Sequence, residues 1–128
     1  MAVRILVVED NELYRVILTT LLTRQGFEVV AAIGVSHACD LLKAFTPELF
    51  ILDITLNDGN GLELCTALRQ DARTKSIPIL IYSGSDDIKT RQQSLQVGAD
   101  VFISKSDPHA RLVGEIRSLL SGRLHTLN

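Results

Sequence analysis

Four short runs of aliphatic residues each end in groups that can do chemistry: Glu9-Asp10, Asp53, Ser83-Gly84 and Ser104-Lys105. A fifth run ends in the bland pair Ala31-Ala32. Carboxylates gathered from two neighbouring strand ends repel one another. At about 4 Å and an effective dielectric near 20, one such pair costs ~4 kcal/mol. A cation relieves that repulsion, and ligands that are all oxygen select a hard one. Mg2+ suits the set better than Ca2+, because it takes few carboxylates and leaves room for waters and a phosphate oxygen. Lys105 adds a point charge suited to a phosphoryl oxygen, and Ser83 adds a hydroxyl. Taken singly, each acid reads better as a solvated loop residue or a helix cap, and Lys105 can be read as a surface lysine. Together they read as a site for a divalent cation and a phosphoryl group.

The elements that must position these groups alternate along the chain. Strand patterns occur at Val3–Val8, Glu28–Ala32, Leu49–Asp53, Ile77–Ser83 and Asp100–Ser104. Most carry apolar residues at consecutive positions, the pattern of strands covered on both faces in a parallel sheet. Helix-period stretches separate them. Leu13, Val16, Ile17 and Leu21 predict the inward face of a first helix closed by Gly26. Ser36 is placed to cap a second helix bearing Ala38, Leu41, Leu42 and Phe45; Leu64, Cys65, Leu68 and Ala72 mark a third. The fourth, Asp86–Val97, has few large apolar residues beyond Ile88 and Leu95. A fifth, capped by Asp107 with Pro108 at its first position, turns Leu112, Val113, Ile116, Leu119 and Leu120 inward. Five strand–helix units predict an α/β domain: right-handed crossovers and a doubly wound five-stranded parallel sheet with helices on both faces. In such a sheet ligands bind beyond the C-terminal ends of the strands, where the acids, Ser83 and Lys105 fall.

Composition narrows the class. The chain has 128 residues, 46% hydrophobic, with a formal charge of −2, so no basic excess argues for nucleic-acid binding by this domain. No apolar run approaches the ~18 residues needed to span a bilayer. The strand pattern starts at Val3, so no leader segment is expected, and two cysteines suggest a reducing, cytoplasmic setting. Cys39 and Cys65 read as small core residues, and His37, His109 and His125 as surface histidines. Residues 1–121 are read as the domain and 122–128 as a frayed tail or linker stub.

The segments VRILVVEDN, LFILDITLNDGNGLEL, PILIYSG and GADVFISK, with Asp10, Asp53, Ser83 and Lys105 at their spacing, resemble the receiver domain of bacterial response regulators. The resemblance covers Val3 to about Leu120. It implies a (βα)5 fold with the flavodoxin-like strand order 2-1-3-4-5. It further implies that Asp53 accepts a phosphoryl group from a sensor histidine kinase, a phosphotransfer protein or a small acyl phosphate. Glu9, Asp10, Asp53 and the backbone carbonyl of Thr55 would hold Mg2+. Ser83 would turn toward the phosphoryl group, Lys105 would pair with it, and Phe102 would occupy the aromatic switch position. The change would reach a downstream effector or a second copy of the domain through the fourth helix, fifth strand and fifth helix. The chain is then a regulator and not an enzyme, at most phosphorylating itself from small donors and slowly losing the group.

Several positions depart from the family's commoner residues. Glu9 stands for Asp, Ser83 for Thr, Leu56-Asn57 for Met-Pro, and Ser106 for the proline that usually follows the lysine. The rival readings are a receiver-like binding module that is never phosphorylated and a hydrolase of the haloacid-dehalogenase type. The latter needs a second acid two residues after the nucleophile, where Thr55 stands. Gly59-Asn60-Gly61 does not make a dinucleotide loop, because Leu64 occupies the last position of that pattern.

Overall fold

A computed structural model describes the backbone of residues 2–127 and the side chains of residues 2–122. Seven strands and five helices follow one another as β1 (Arg4–Val8), α1 (Glu12–Arg24), β2 (Glu28–Ala32), α2 (Val35–Leu42), β3 (Leu49–Leu52), β4 (Thr55–Leu56), β5 (Gly59–Asn60), α3 (Gly61–Gln70), β6 (Ile79–Ser83), α4 (Ile88–Gln96), β7 (Val101–Ser104) and α5 (His109–Leu127). The main sheet is parallel in the order β2-β1-β3-β6-β7, which is 2-1-3-4-5 once the short β4–β5 hairpin is set aside. The fold class expected from the sequence is the one observed.

Consecutive apolar residues in the strands serve two cores. Leu6, Val8, Phe50, Leu52, Ile79 and Ile81 point to one face, where Ala38 and Leu42 of α2 and Leu64, Cys65 and Leu68 of α3 meet them. Ile5, Val7, Leu49, Ile51, Leu80 and Tyr82 point to the other, against Leu18 and Leu22 of α1 and Leu112 and Ile116 of α5. Each strand side chain buried in this way contributes roughly 1.5–3 kcal/mol. Helix α4 is different, for its one fully buried residue is Ser94. Few buried contacts make a segment that is displaced at low cost.

Several local expectations are corrected. In α1 the buried stripe is Leu18 and Leu22 with Tyr14 and Leu21 partly covered, while Leu13 and Val16 are 64% and 56% exposed. The helix carries two neighbouring apolar stripes, and the one containing Tyr14 wins because the ring packs inward. Helix α2 starts at Val35, so Ser36 lies inside it. Its first amides, Val35 N–H and Ser36 N–H, donate to the carboxylate of Asp58 at 2.8 and 3.0 Å. Those bonds, Ser36's first, hold the Asp58 carboxyl below its ordinary value. A cap supplied from 22 residues away leaves no local signature. Ala72 lies beyond the end of α3 and is exposed, and Cys39 is exposed rather than core. Cys65 is buried as expected, and its burial pushes the thiol up, away from the reactive thiolate. Asp107 accepts the Ser104 N–H and pairs with Arg111. His37 is half-buried, its Nδ1 accepting the Ile33 N–H, whereas His109 is exposed. Helix α5 continues to Leu127, past the point where a frayed tail was expected. One interrupting glycine, Gly122, costs only about 1 kcal/mol relative to alanine, too little to stop a helix. The His125 side chain and Asn128 lie outside the described residues. No described helix is long and apolar enough to cross a membrane.

Candidate acidic site at the strand ends

Parallel register brings the ends of β1, β3, β6 and β7 level. Val8 pairs with Leu52, and Ser83 with Ser104. Backbone bonds then carry the alignment one residue further: Asp53 N–H donates to Val8 O, and Lys105 N–H donates to Ser83 O. The next residues out, Glu9-Asp10, Asp53 and Lys105, are therefore delivered to one edge by the sheet itself.

Glu9, Asp10 and Asp53 each offer a carboxylate oxygen to a common point, and these atoms all lie within 4.8 Å of one another. Glu9 is 1% exposed and Asp53 8%, while Asp10 is half-buried. The ammonium of Lys105 reaches both buried acids, at 2.6 Å from Glu9 Oε1 and 3.0 Å from Asp53 Oδ2. Asp53 Oδ1 accepts the Ile54 N–H at 2.8 Å, and Glu9 Oε2 accepts the Asn11 N–H at 3.1 Å. Glu9 Oε1 thus has the lysine charge beside it but no well-aligned donor. Burial pushes the Glu9 carboxyl up, and the Asp53 charge adds to this against the opposing contact with the Lys105 ammonium and the bond from Asn11. Burial pulls the Lys105 ammonium down, but its bonds to Glu9 and Asp53 and their charges outweigh that and hold it above its ordinary value.

One lysine charge faces three acids. Two buried carboxylates share a single ammonium, and one of their oxygens lacks an aligned donor. That donor set, all oxygen and short of positive charge, fits a hard divalent cation such as Mg2+.

Ser83, the last residue of β6, is buried, and its Oγ accepts the Ser85 N–H at 3.1 Å. Phe102 lies inward on β7, 4% exposed in the core shared with α2 and α3, and the Arg91 guanidinium of α4 covers its ring at 4.8 Å. Thr55 begins the hairpin that follows Asp53 and pairs with Asn60 across its two-residue turn. Ser106 stands after Lys105 with a trans bond, as do all residues described. A knot of hydrogen bonds shapes that turn instead. Ser106 N–H donates to Ser104 Oγ, the two hydroxyls lie 2.7 Å apart, and Asp107 N–H donates to Ser104 O.

Of the residues singled out for chemistry, Glu9, Asp10, Asp53 and Lys105 are therefore brought together at this edge, while Ser83 ends β6, Thr55 opens the hairpin and Phe102 lies in the core. Two further residues were missed. Arg15 donates to the carbonyls of Glu9 and Asp10 at 3.1 and 2.8 Å, bracing the acidic turn from α1. Tyr14 presents its ring to the Lys105 ammonium at 4.2 Å. Position four or five after an acidic pair, at the start of a helix, is the one signal that places either residue near the site.

Comparison with known proteins agrees with this fold. Residues 5–117 match the family model of the response regulator receiver domain. The phosphate regulon transcriptional regulatory protein PhoB of Klebsiella pneumoniae is 33% identical over 120 residues, covering 94% of this chain and 52% of that protein. The chain thus spans about half the length of such curated relatives. Among solved structures, a putative response regulator from Chloroflexus aurantiacus superposes with a TM-score of 0.90 at 26% identity, covering 94% of this chain and 99% of that one. The BeF3-activated N-terminal receiver domain of RstA from Klebsiella pneumoniae gives 0.85 at 28% identity, over 91% and 97% of the two chains.

Proposed function

The chain belongs to the response regulator receiver domain family, and from that premise we propose that it is a phosphorylation-driven signalling switch whose acceptor is Asp53. The observation that carries the reading is the pairing of Asp53 with Lys105 inside a cluster of three acids. A phosphohistidine on a sensor histidine kinase or phosphotransfer protein is the donor. An Asp53 oxygen attacks phosphorus in line, the bond to the imidazole nitrogen breaks, and the ring leaves with the electron pair. Mg2+, when bound by Glu9, Asp10, Asp53 and the Thr55 carbonyl, offsets charge on the phosphoryl oxygens. Lys105 supplies the matching charge from the other side, already aimed at Asp53 Oδ2.

The acyl phosphate adds roughly one to two negative charges to a site built around three acids. Ser83 answers by exchanging the Ser85 amide for a phosphoryl oxygen, and Phe102, beneath Arg91, transmits the shift of β6 to α4. With only Ser94 fully buried, α4 is the element that gives way. The face made of α4, β7 and α5 then meets an effector or a second copy. The switch occupies residues 1–121 and works in the cytoplasm.

Beryllofluoride with Mg2+ mimics the phosphoryl group and tests the relay without a kinase. Amide resonances are expected to shift around Asp53 and Ser83 and onward through α4, β7 and α5, and to stay still in Asp53→Asn. Shifts confined to the loop after Asp53 would contradict the relay.

A further inference from the structure

Lys105 is held on two sides by acids and on a third by a ring. Its ammonium lies 4.2 Å from the centroid of Tyr14, and its side chain is only 11% exposed. Tyr14 is itself fixed from two directions. Its N–H donates to Oδ1 of Asn11, the cap of α1, and its ring meets that of the buried Tyr82 at 6.4 Å with the planes crossed at 79°. A four-carbon side chain carrying a strongly hydrated charge would otherwise sample many rotamers in front of the acids.

We infer that Tyr14 is a positioning residue for phosphoryl transfer: its ring excludes water from Lys105 and keeps the ammonium aimed between Glu9 and Asp53. The inference rests on the phosphoacceptor reading and extends it to a residue on α1. The contact requires the π face and not the hydroxyl, so phenylalanine substitutes for tyrosine and leucine does not. Cation–π contacts of this kind translate into a rate effect of roughly 2- to 30-fold.

The test compares the full chain with Tyr14→Phe and Tyr14→Leu. Uptake of a phosphoryl group from acetyl phosphate with Mg2+ is followed by intact mass, and the Lys105 ε-methylene protons are followed by NMR. Phenylalanine is expected to keep the wild-type rate and the upfield ring shift of those protons. Leucine is expected to lose the shift and slow uptake by roughly 2- to 30-fold, with Mg2+ affinity and thermal midpoint recorded alongside. Wild-type uptake in Tyr14→Leu overturns the inference, and so does a slowing in Tyr14→Phe that equals it. If the unaltered chain takes up no phosphoryl group, the phosphoacceptor reading fails on its own. The ring shift then decides whether Tyr14 orders Lys105: its absence from the unaltered chain overturns the inference, and its loss only in leucine upholds it.

Discussion

Replacing Lys105 by methionine is expected to slow phosphoryl uptake by about 10²–10³-fold while tightening Mg2+ binding. The two effects have one cause. The ammonium sits 2.6 Å from Glu9 and 3.0 Å from Asp53, so it neutralises developing charge on a phosphoryl group, and it also repels a divalent ion held by the same acids. Methionine keeps the length and apolar body of the side chain and removes only the charge. Without metal, the variant also leaves Glu9, 1% exposed, with no counter-charge. Breaking a buried pair from one side costs on the order of 3 kcal/mol. The Glu9 carboxyl is already raised by burial, so its favourable contribution belongs to low pH and is lost as pH rises through its folded pKa. The metal-free variant should therefore fall furthest below the unaltered chain at neutral pH and recover on acidification. Stopped time courses by mass, Mg2+ calorimetry and thermal melts at several pH values measure the three effects. A rate within about threefold of the unaltered chain would remove Lys105 from the transfer chemistry.

Gly61→Ala is expected to be the most damaging small substitution near the site. Gly61 opens α3, and its N–H donates to Ile54 O at 2.7 Å, which presses the helix start against the acceptor's backbone. A Cβ there would stand 1.9 Å from the Asp53 carbonyl oxygen and 2.8 Å from its carbon. These are backbone atoms, so relief requires moving the acceptor residue itself. Overpacking of this kind costs roughly 1–3 kcal/mol or more, which exceeds the gain of up to about 1 kcal/mol that alanine brings to a helix. Both the melting temperature and phosphoryl uptake should fall. Gly114→Ala, in α5 with nothing within 4 Å of the added carbon, is the control and should stabilise. Equal behaviour of the two variants would contradict the close approach.

What could be read from the chain follows the range of the interactions concerned. The five main strands and their two-faced burial were legible because Ile5-Leu6-Val7-Val8 and Phe50-Ile51-Leu52 carry the pattern locally. The acidic edge was legible because a parallel sheet aligns strand ends, so Asp10, Asp53, Ser83 and Lys105 needed only their order and spacing. The inward stripe of α1 was not, since Leu13 and Val16 offer as apolar a face as Leu18 and Leu22. Nor was the cap on α2, which Asp58 supplies from the hairpin turn. The hairpin of Thr55–Leu56 with Gly59–Asn60 is too short to show any alternation. Tyr14 over Lys105 joins positions 91 residues apart through side chains alone, and no local pattern encodes such a contact.

The central claim is that Asp53 accepts a phosphoryl group. Intact mass after incubation with a small acyl phosphate and Mg2+ tests it most directly, beside Asp53→Asn and a metal-free sample. One acid-stable, base-labile phosphoryl group on the unaltered chain, absent from both controls, is the predicted result. An adduct that persists in Asp53→Asn, or no adduct in any sample, would contradict it.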